Sequence, residues 1–364
     1  MRLLRTLPAA LTASIAAASV ALATPATAKD AAVSFRGKVV SLYAGGQVGG
    51  GVDMFSRTFM PFLAHYLPGQ PTIIVKNMPG AGGMQAVSYA YNKGAKDGTA
   101  LTTMAGGPIA EAIYGDHKLD YDLQTFHWVG SLAVGKQMCM TWRTSAFKTI
   151  DDAKKRTMNV AATGARSTTT LLPLMLNAAI GTKFRPIAGY GGASSVLAVE
   201  RGEMDGICSS IDSLRTTHPD WISGHKMRFL IDVSLTGIPA LKSVPRVMDM
   251  IKDPGKRAAM ELFLRTTEIA YPYALTPGTP DAVVKIYRAA FDKAVRDPAY
   301  LEQAAKLKQG IEPKSGAEVT DVIQKIVDAP ADVVAGVKND LNNAGSVGKC
   351  EGSLCGGKKK KKGS

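Results

Sequence analysis

The sequence predicts an α/β protein of two lobes, each a mostly parallel sheet flanked by helices. Three observations lead there. Short apolar, β-rich runs alternate with stretches whose apolar residues recur every three or four positions. Glycine-rich turns join several of these pairs, and the whole alternation starts afresh near residue 137.

A strand over 38–43 runs into the turn Gly45 to Gly51 and then a helix from Val52. On that helix Phe55, Phe59, Phe62, Leu63, Tyr66 and Leu67 form one apolar face. A strand over 71–76, the turn Asn77 to Gly83 and a helix over 84–92 follow. A third strand over 100–104 ends in Ala105-Gly106-Gly107-Pro108. The second half reads as a strand over 137–142, a helix over 149–155 and a strand over 158–162 that ends in Thr163-Gly164-Ala165-Arg166-Ser167. Next come a helix carrying Leu171, Leu172, Met175, Ala178 and Ala179, a strand over 183–187, and a helix through Val196 and Leu197. Strands over 204–208, 227–233 and 269–275 complete the set, the last beyond Pro-rich loops. Two amphipathic helices close the fold, one with Val283, Tyr287, Ala290, Phe291 and Ala294, the other with Val319, Val322, Ile323 and Ile326. The expected boundaries are a leader over 1–28, a first lobe over 29–132, a second over 133–236, a return to the first over 237–345, and a flexible basic tail over 346–364.

The ends carry a compartment signal. Arg2 and Arg5 precede an Ala/Leu-rich stretch from Leu7 to Leu22, and Ala26-Thr27-Ala28 has the small-residue spacing of a cleavage site. A cleaved signal peptide and a periplasmic mature protein beginning near Lys29 are expected. No later run reaches the length of a membrane span. The formal net charge is +14, of which the leader arginines and the terminal Lys358 to Lys362 run supply half. What remains reads as solvated surface charge, and no basic cluster interleaved with aromatics speaks for nucleic acid. The five histidines show no metal-ligand spacing, so neither metal nor cofactor is expected.

Ligands of open α/β sheets bind beyond the carboxyl ends of the strands. Here those ends carry glycines, which let backbone N–H groups approach an anion where a turn opens a helix. The turns Gly45 to Gly51 and Pro79 to Gly83 are therefore candidate carboxylate grips. Asp53 falls in a first helical turn, where it stabilises the helix dipole. Ser167 to Thr170 can cap a helix and also offer hydroxyls from the second lobe. There is no clean dinucleotide fingerprint, no phosphate-binding P-loop and no nucleophile elbow.

The runs GKVVSLYAGGQVGGGVDMFSR, PTIIVKNMPGAGG and KDGTAL, with GYGGASSVLAVERGEMDG and YPYALTPGTP, resemble the receptors of tripartite tricarboxylate transporters, also called the Bug family. The resemblance implies a two-lobed periplasmic binding protein, a Venus flytrap. It would be a monomer without enzymatic activity that captures a small carboxylate for membrane transporter subunits. It also implies first-lobe ligand contacts at Tyr43, Gly46, Gly49 and Asp53, at Pro79, Gly80, Ala81 and Gly82, and at Gly106. Second-lobe contacts would come from Thr163, Gly164, Ser167 and Thr168, from Tyr190 and Gly191, and from Ser209. The chain departs from many members at Gln47-Val48, where a shorter loop is common, and at Ser209, where an acidic residue is common. The second departure argues against an amino-acid ligand. A ligand-presenting sensor for a membrane kinase and a periplasmic enzyme acting on small carboxylates are the competing readings.

Four cysteines allow three pairings. Cys139 and Cys208 both fall in second-lobe strands, and are expected either to join or to stay as two buried thiols; Cys350 and Cys355 would pair in the tail.

Overall fold

The computed structural model describes residues 33–115, 118–191, 193–345 and 347–349. The expected leader, and Cys350 and Cys355, lie outside them. In chain order the first elements are β1 (Val39–Ala44), α1 (Gly51–Tyr66), β2 (Thr72–Asn77), α2 (Met84–Lys93), β3 (Ala100–Thr103), α3 (Gly106–Tyr114) and β4 (His127–Ala133). The chain continues through β5 (Gln137–Trp142), α4 (Ile150–Lys155), β6 (Met158–Ala162), α5 (Thr168–Ile180), β7 (Phe184–Ala188), α6 (Ala193–Glu200) and β8 (Gly206–Ser210). Then follow α7 (Ile211–Thr217), α8 (Pro219–Ser223), β9 (Met227–Val233), α9 (Val247–Met250), α10 (Pro254–Arg265) and β10 (Ala270–Leu275). The last are α11 (Asp281–Ala294), α12 (Pro298–Lys306), β11 (Lys314–Ser315), α13 (Gly316–Val327), α14 (Ala331–Asn343) and β12 (Gly348–Lys349).

Two six-stranded sheets result, in the orders β11-β4-β10-β3-β1-β2 and β12-β7-β6-β8-β5-β9. In the first, β1 pairs in parallel with β2 and β3, while β10 runs against β3 and β4, and β11 against β4. In the second, β12, β7, β6 and β8 are parallel and β5 runs against β8 and β9. The fold is the α/β, two-lobed arrangement the alternation predicts, with strands opposing their neighbours where the chain passes between lobes.

The apolar periodicity of α1 explains the first core. Phe55, Phe59 and Leu63 are fully buried against Tyr273, Tyr287, Phe291 and Tyr300, with Phe59 edge-on to Phe291 at 5.3 Å. Each such side chain contributes on the order of 2–3 kcal/mol by leaving water. In the second sheet Cys139 and Cys208 stand directly opposite each other on β5 and β8 and form a disulfide. That settles the alternative the sequence leaves open, because strand register brings the two Cα atoms to 4.0 Å.

The second domain boundary differs from the one read in the sequence, which returned the chain to the first lobe at 237. Ile238 packs in the second-lobe core, and α10 and α14 pack on each other and on α5. Lys256 donates to the Ala178 carbonyl at 2.8 Å and Asn177 to the Ala344 carbonyl at 2.9 Å, while β12 pairs with β7. The chain passes between sheets at 133–137 and 266–270, and again after α13. Gly348 and Lys349, expected in the flexible tail, are thus paired with the second sheet. The reason is physical: α14 buries Val337 on a face that α10, α5 and α3 complete, and a two-residue strand leaves no periodicity to read.

Candidate functional site

A cavity of about 180 Å³ lies between the lobes at the carboxyl ends of their strands. Its first-lobe wall is the β1–α1 loop with Gly46 and Gln47, the β2–α2 loop with Pro79 and Gly82, and Ala105-Gly106 after β3. Thr163, Ser167, Thr168 and Thr169 of the β6–α5 loop and Ser209, Ser210 and Ser213 around the start of α7 form the opposite wall. Gly135, Gln137, Thr266, Thr267 and Tyr271 close the side where the chain crosses.

Among the described residues the lining carries no Lys, Arg, His, Asp or Glu side chain. Its electrostatics come from helix ends instead. The first turns of α1, α3 and α5 open on the cavity, and none has a side-chain N-cap bond. Free first-turn N–H groups and the macrodipole make such ends favourable for an anion, each worth roughly 0.3–2 kcal/mol. The starts of α3 and α5 meet head to head: a Cβ on Gly106 would sit 3.3 Å from Thr168 Oγ1, and one on Gly107 3.4 Å from Thr168 N. Neither helix has an acidic residue in its first turn. The Thr168 hydroxyl is buried there without a hydrogen-bond partner among the described residues. Two like poles in contact, beside an unused donor, suit a carboxylate.

Backbone geometry holds this end open. Gly82 has φ +70°, and a Cβ on it would lie 2.9 Å from Ser167 N across the interface. The Ser167 side chain does not cap α5 as the sequence suggested. Its hydroxyl donates to the Gly164 carbonyl at 2.7 Å, alongside Thr170 Oγ1 at 2.7 Å, so the helix start stays uncapped. Asp53 is buried and works behind the wall: it accepts from Gly49 N–H at 2.9 Å and Arg57 Nε at 2.8 Å. Arg57 also donates to Asn77 Oδ1 at 3.0 Å, and Asn77 Nδ2 to the Gly46 carbonyl at 2.9 Å, which ties the two glycine loops together.

At the other end Tyr271 is buried, stacked on Phe55 with ring centroids 4.0 Å apart, and has φ +56° inside a strand. A bulky residue there is strained by about 1–3 kcal/mol, a cost concentrated at functional sites. Burial first, then the nearby Asp212, push the phenol above its ordinary range against the pull of Ser210 and Ser213. It therefore stays a neutral donor.

Of the residues expected at the site, Gly46, Pro79, Gly82, Gly106, Thr163, Ser167, Thr168 and Ser209 line the cavity. The others do not. Tyr43 faces α2, with Tyr89 at 4.8 Å, because side chains alternate along β1. Gly49 and Asp53 brace the loop from behind. Gly80 and Ala81 form the turn itself, Ala81 at φ +52°, and Gly164 supplies the carbonyl that Ser167 and Thr170 bond. Tyr190 is buried in the second-lobe core, and Gly191 packs against Gln47. Sequence reasoning missed Gln47, Gln137, Ser210, Ser213, Thr266, Thr267 and Tyr271. Ser210 and Ser213 neighbour the flagged Ser209, and Gln47 sits within a flagged turn. Tyr271 opens the YPYALTPGTP run quoted for the resemblance, whereas Gln137, Thr266 and Thr267 carried no motif.

A family model for the tripartite tricarboxylate transporter family receptor matches residues 63–334. The chain belongs to this family. Among solved structures, the periplasmic binding protein BugD is similar at 20% identity and TM-score 0.67, over 86% of this chain and 99% of that one. MatC from Rhodopseudomonas palustris, with bound malate, is similar at 18% identity and TM-score 0.64, over 81% and 98%. A second R. palustris protein, with adipate, is similar at 16% identity and TM-score 0.63, over 82% and 96%. No curated protein matches the chain. Members of this receptor family are periplasmic binding proteins rather than enzymes, and no helix among the described residues is long and apolar enough to cross a membrane.

Proposed function

We propose that the protein is exported through its 1–28 leader, captures a small carboxylate in the periplasm, and delivers it to the membrane subunits of a tripartite tricarboxylate-type transporter. The observation that carries the ligand class is the uncharged cavity where the uncapped starts of α3 and α5 meet at Thr168. The carboxylate sits between Gly82, Gly106 and Thr168, where backbone N–H groups and the Thr168 hydroxyl satisfy its oxygens. No guanidinium is required. Hydroxyls and carboxamides on the remaining walls take the rest of the solute, and the lobes close over it as a monomer. Family membership and the malate and adipate complexes of similar folds support the reading.

Mass spectrometry of small molecules released from gently purified protein tests it, with calorimetric titration of malate and adipate alongside. A stoichiometric carboxylate, unchanged after incubation, is the expected result. Release of a non-acidic molecule only, or turnover of the bound acid, would overturn it.

A further inference from the structure

Gln47 belongs to the β1–α1 loop of the first lobe, yet its carboxamide lies against the backbone of Gly191, beyond β7 in the second. A Cβ added to Gly191 would overlap Gln47 Cδ, Nε2 and Oε1 together. Both partners are held in place. Gly50 N–H donates to the Gln47 carbonyl at 3.0 Å. Ser194 Oγ accepts from Gly191 N–H at 2.9 Å and donates to its carbonyl at 2.9 Å. The side chain also lines the cavity, and its carboxamide has no hydrogen-bond partner among the described residues.

A carboxamide offers two donors and an acceptor with two lone pairs. Unused at the wall of a small cavity, those groups await a partner from the solute. The carboxylate end lies at Gly82, Gly106 and Thr168, so the group that meets Gln47 is another part of the ligand. We propose that Gln47 is a positioning and specificity residue that holds the closed lobes at Gly191 and hydrogen-bonds a neutral polar group of the solute. A hydroxyl, carbonyl or amide fits, since a lone carboxamide, unlike the paired helix starts at Thr168, brings no macrodipole to offset a second ionised group. This rests on the reading of the cavity as the ligand site.

Three single variants separate the seat from the hydrogen bond. Gln47→Ala removes both. Gln47→Met keeps a side chain of similar length without amide chemistry. Gly191→Ala retains the amide and displaces it, the moving atoms being the far end of a flexible side chain. Amide hydrogen exchange on protein saturated with malate or adipate, where the lobes are closed, reads the seat. Peptides covering 45–51 and 189–197 should exchange faster in Gln47→Ala and Gly191→Ala, and as wild type in Gln47→Met. Stopped-flow release of malate, which carries a hydroxyl, reads the hydrogen bond, with all three variants about 2–10-fold faster than wild type. Adipate, which has only carboxylates and methylenes, should leave Gln47→Met as wild type. Gly191→Ala should add nothing in a Gln47→Ala background, because it acts through that side chain. Unchanged exchange in both seat variants overturns the proposal, as does full additivity of the two. So does wild-type release of malate from Gln47→Met. If the wild type binds neither acid, the carboxylate reading fails, and exchange of the protein as purified, before its solute is stripped, still decides whether Gln47 seats on Gly191.

Discussion

Gly135 N–H donates to the Thr267 carbonyl at 2.7 Å, joining the two chain segments that pass between the lobes. The segments run antiparallel, since Ala133 pairs with Ala270 just beyond them. A Cβ on Gly135 would stand 2.9 Å from the same carbonyl, so the approach requires glycine. Bending of the lobes is concentrated where this pair leaves both sheets. Small-angle scattering should show a smaller radius of gyration with saturating malate or adipate. Gly135→Ala should bind about tenfold more weakly and contract less, as the pair must open by tenths of an ångström. Wild-type contraction in that variant would place the bending elsewhere.

Gly82→Val should abolish binding while leaving far-ultraviolet circular dichroism unchanged. The position combines φ +70° with 2.9 Å from a Cβ to Ser167 N, so a β-branched residue distorts the turn and holds the lobes apart. Loss of one or two charge-assisted hydrogen bonds corresponds to at least about 10-fold in affinity. Calorimetry with an acid that the wild type binds decides it, and normal affinity in the variant refutes backbone recognition at this loop.

The Cys139–Cys208 disulfide closes a loop with a sequence separation of 69. In the chain-entropy account such a closure destabilises the unfolded state by about 4 kcal/mol. The Cys139→Ala/Cys208→Ala pair should therefore show a lower guanidinium midpoint, with a slope no shallower than that of the oxidised protein because its unfolded chain is less constrained. Equal midpoints for the oxidised protein and the double variant would mean that the bridge adds no stability.

His218 gives a pH dependence whose sign is fixed. Burial lowers its pKa from 6.5, against the raising influence of Asp220 and then Glu200. The folded protein therefore prefers the neutral ring, which lies 5.2 Å from the Trp221 ring. Its contribution is present above 6.5 and is lost as the pH falls through the lowered folded value. Urea midpoints from about pH 7.5 to about pH 5 should fall less steeply for His218→Gln than for the wild type. Parallel curves would exclude the imidazole as a source.

The sequence by itself determined the alternation of strands and helices, the aromatic face of α1, and the glycine turns at the strand ends. These are local facts, set by side-chain period and by backbone freedom over a few residues, and Gly46, Pro79, Gly82 and Gly106 follow from them. Tertiary structure alone decided the rest. Tyr43 and Gly82 both belong to flagged segments, but the pleat of β1 turns Tyr43 toward Tyr89 while the turn brings Gly82 to Ser167. Thr266, Thr267 and Tyr271 reach the cavity because β10 pairs with β3 and β4, a contact across more than a hundred residues that leaves no local signature. Which cysteines meet, where α14 docks, and how Gln47 finds Gly191 depend on strand order and on the closure of two lobes. Neither is encoded in the period of any single segment.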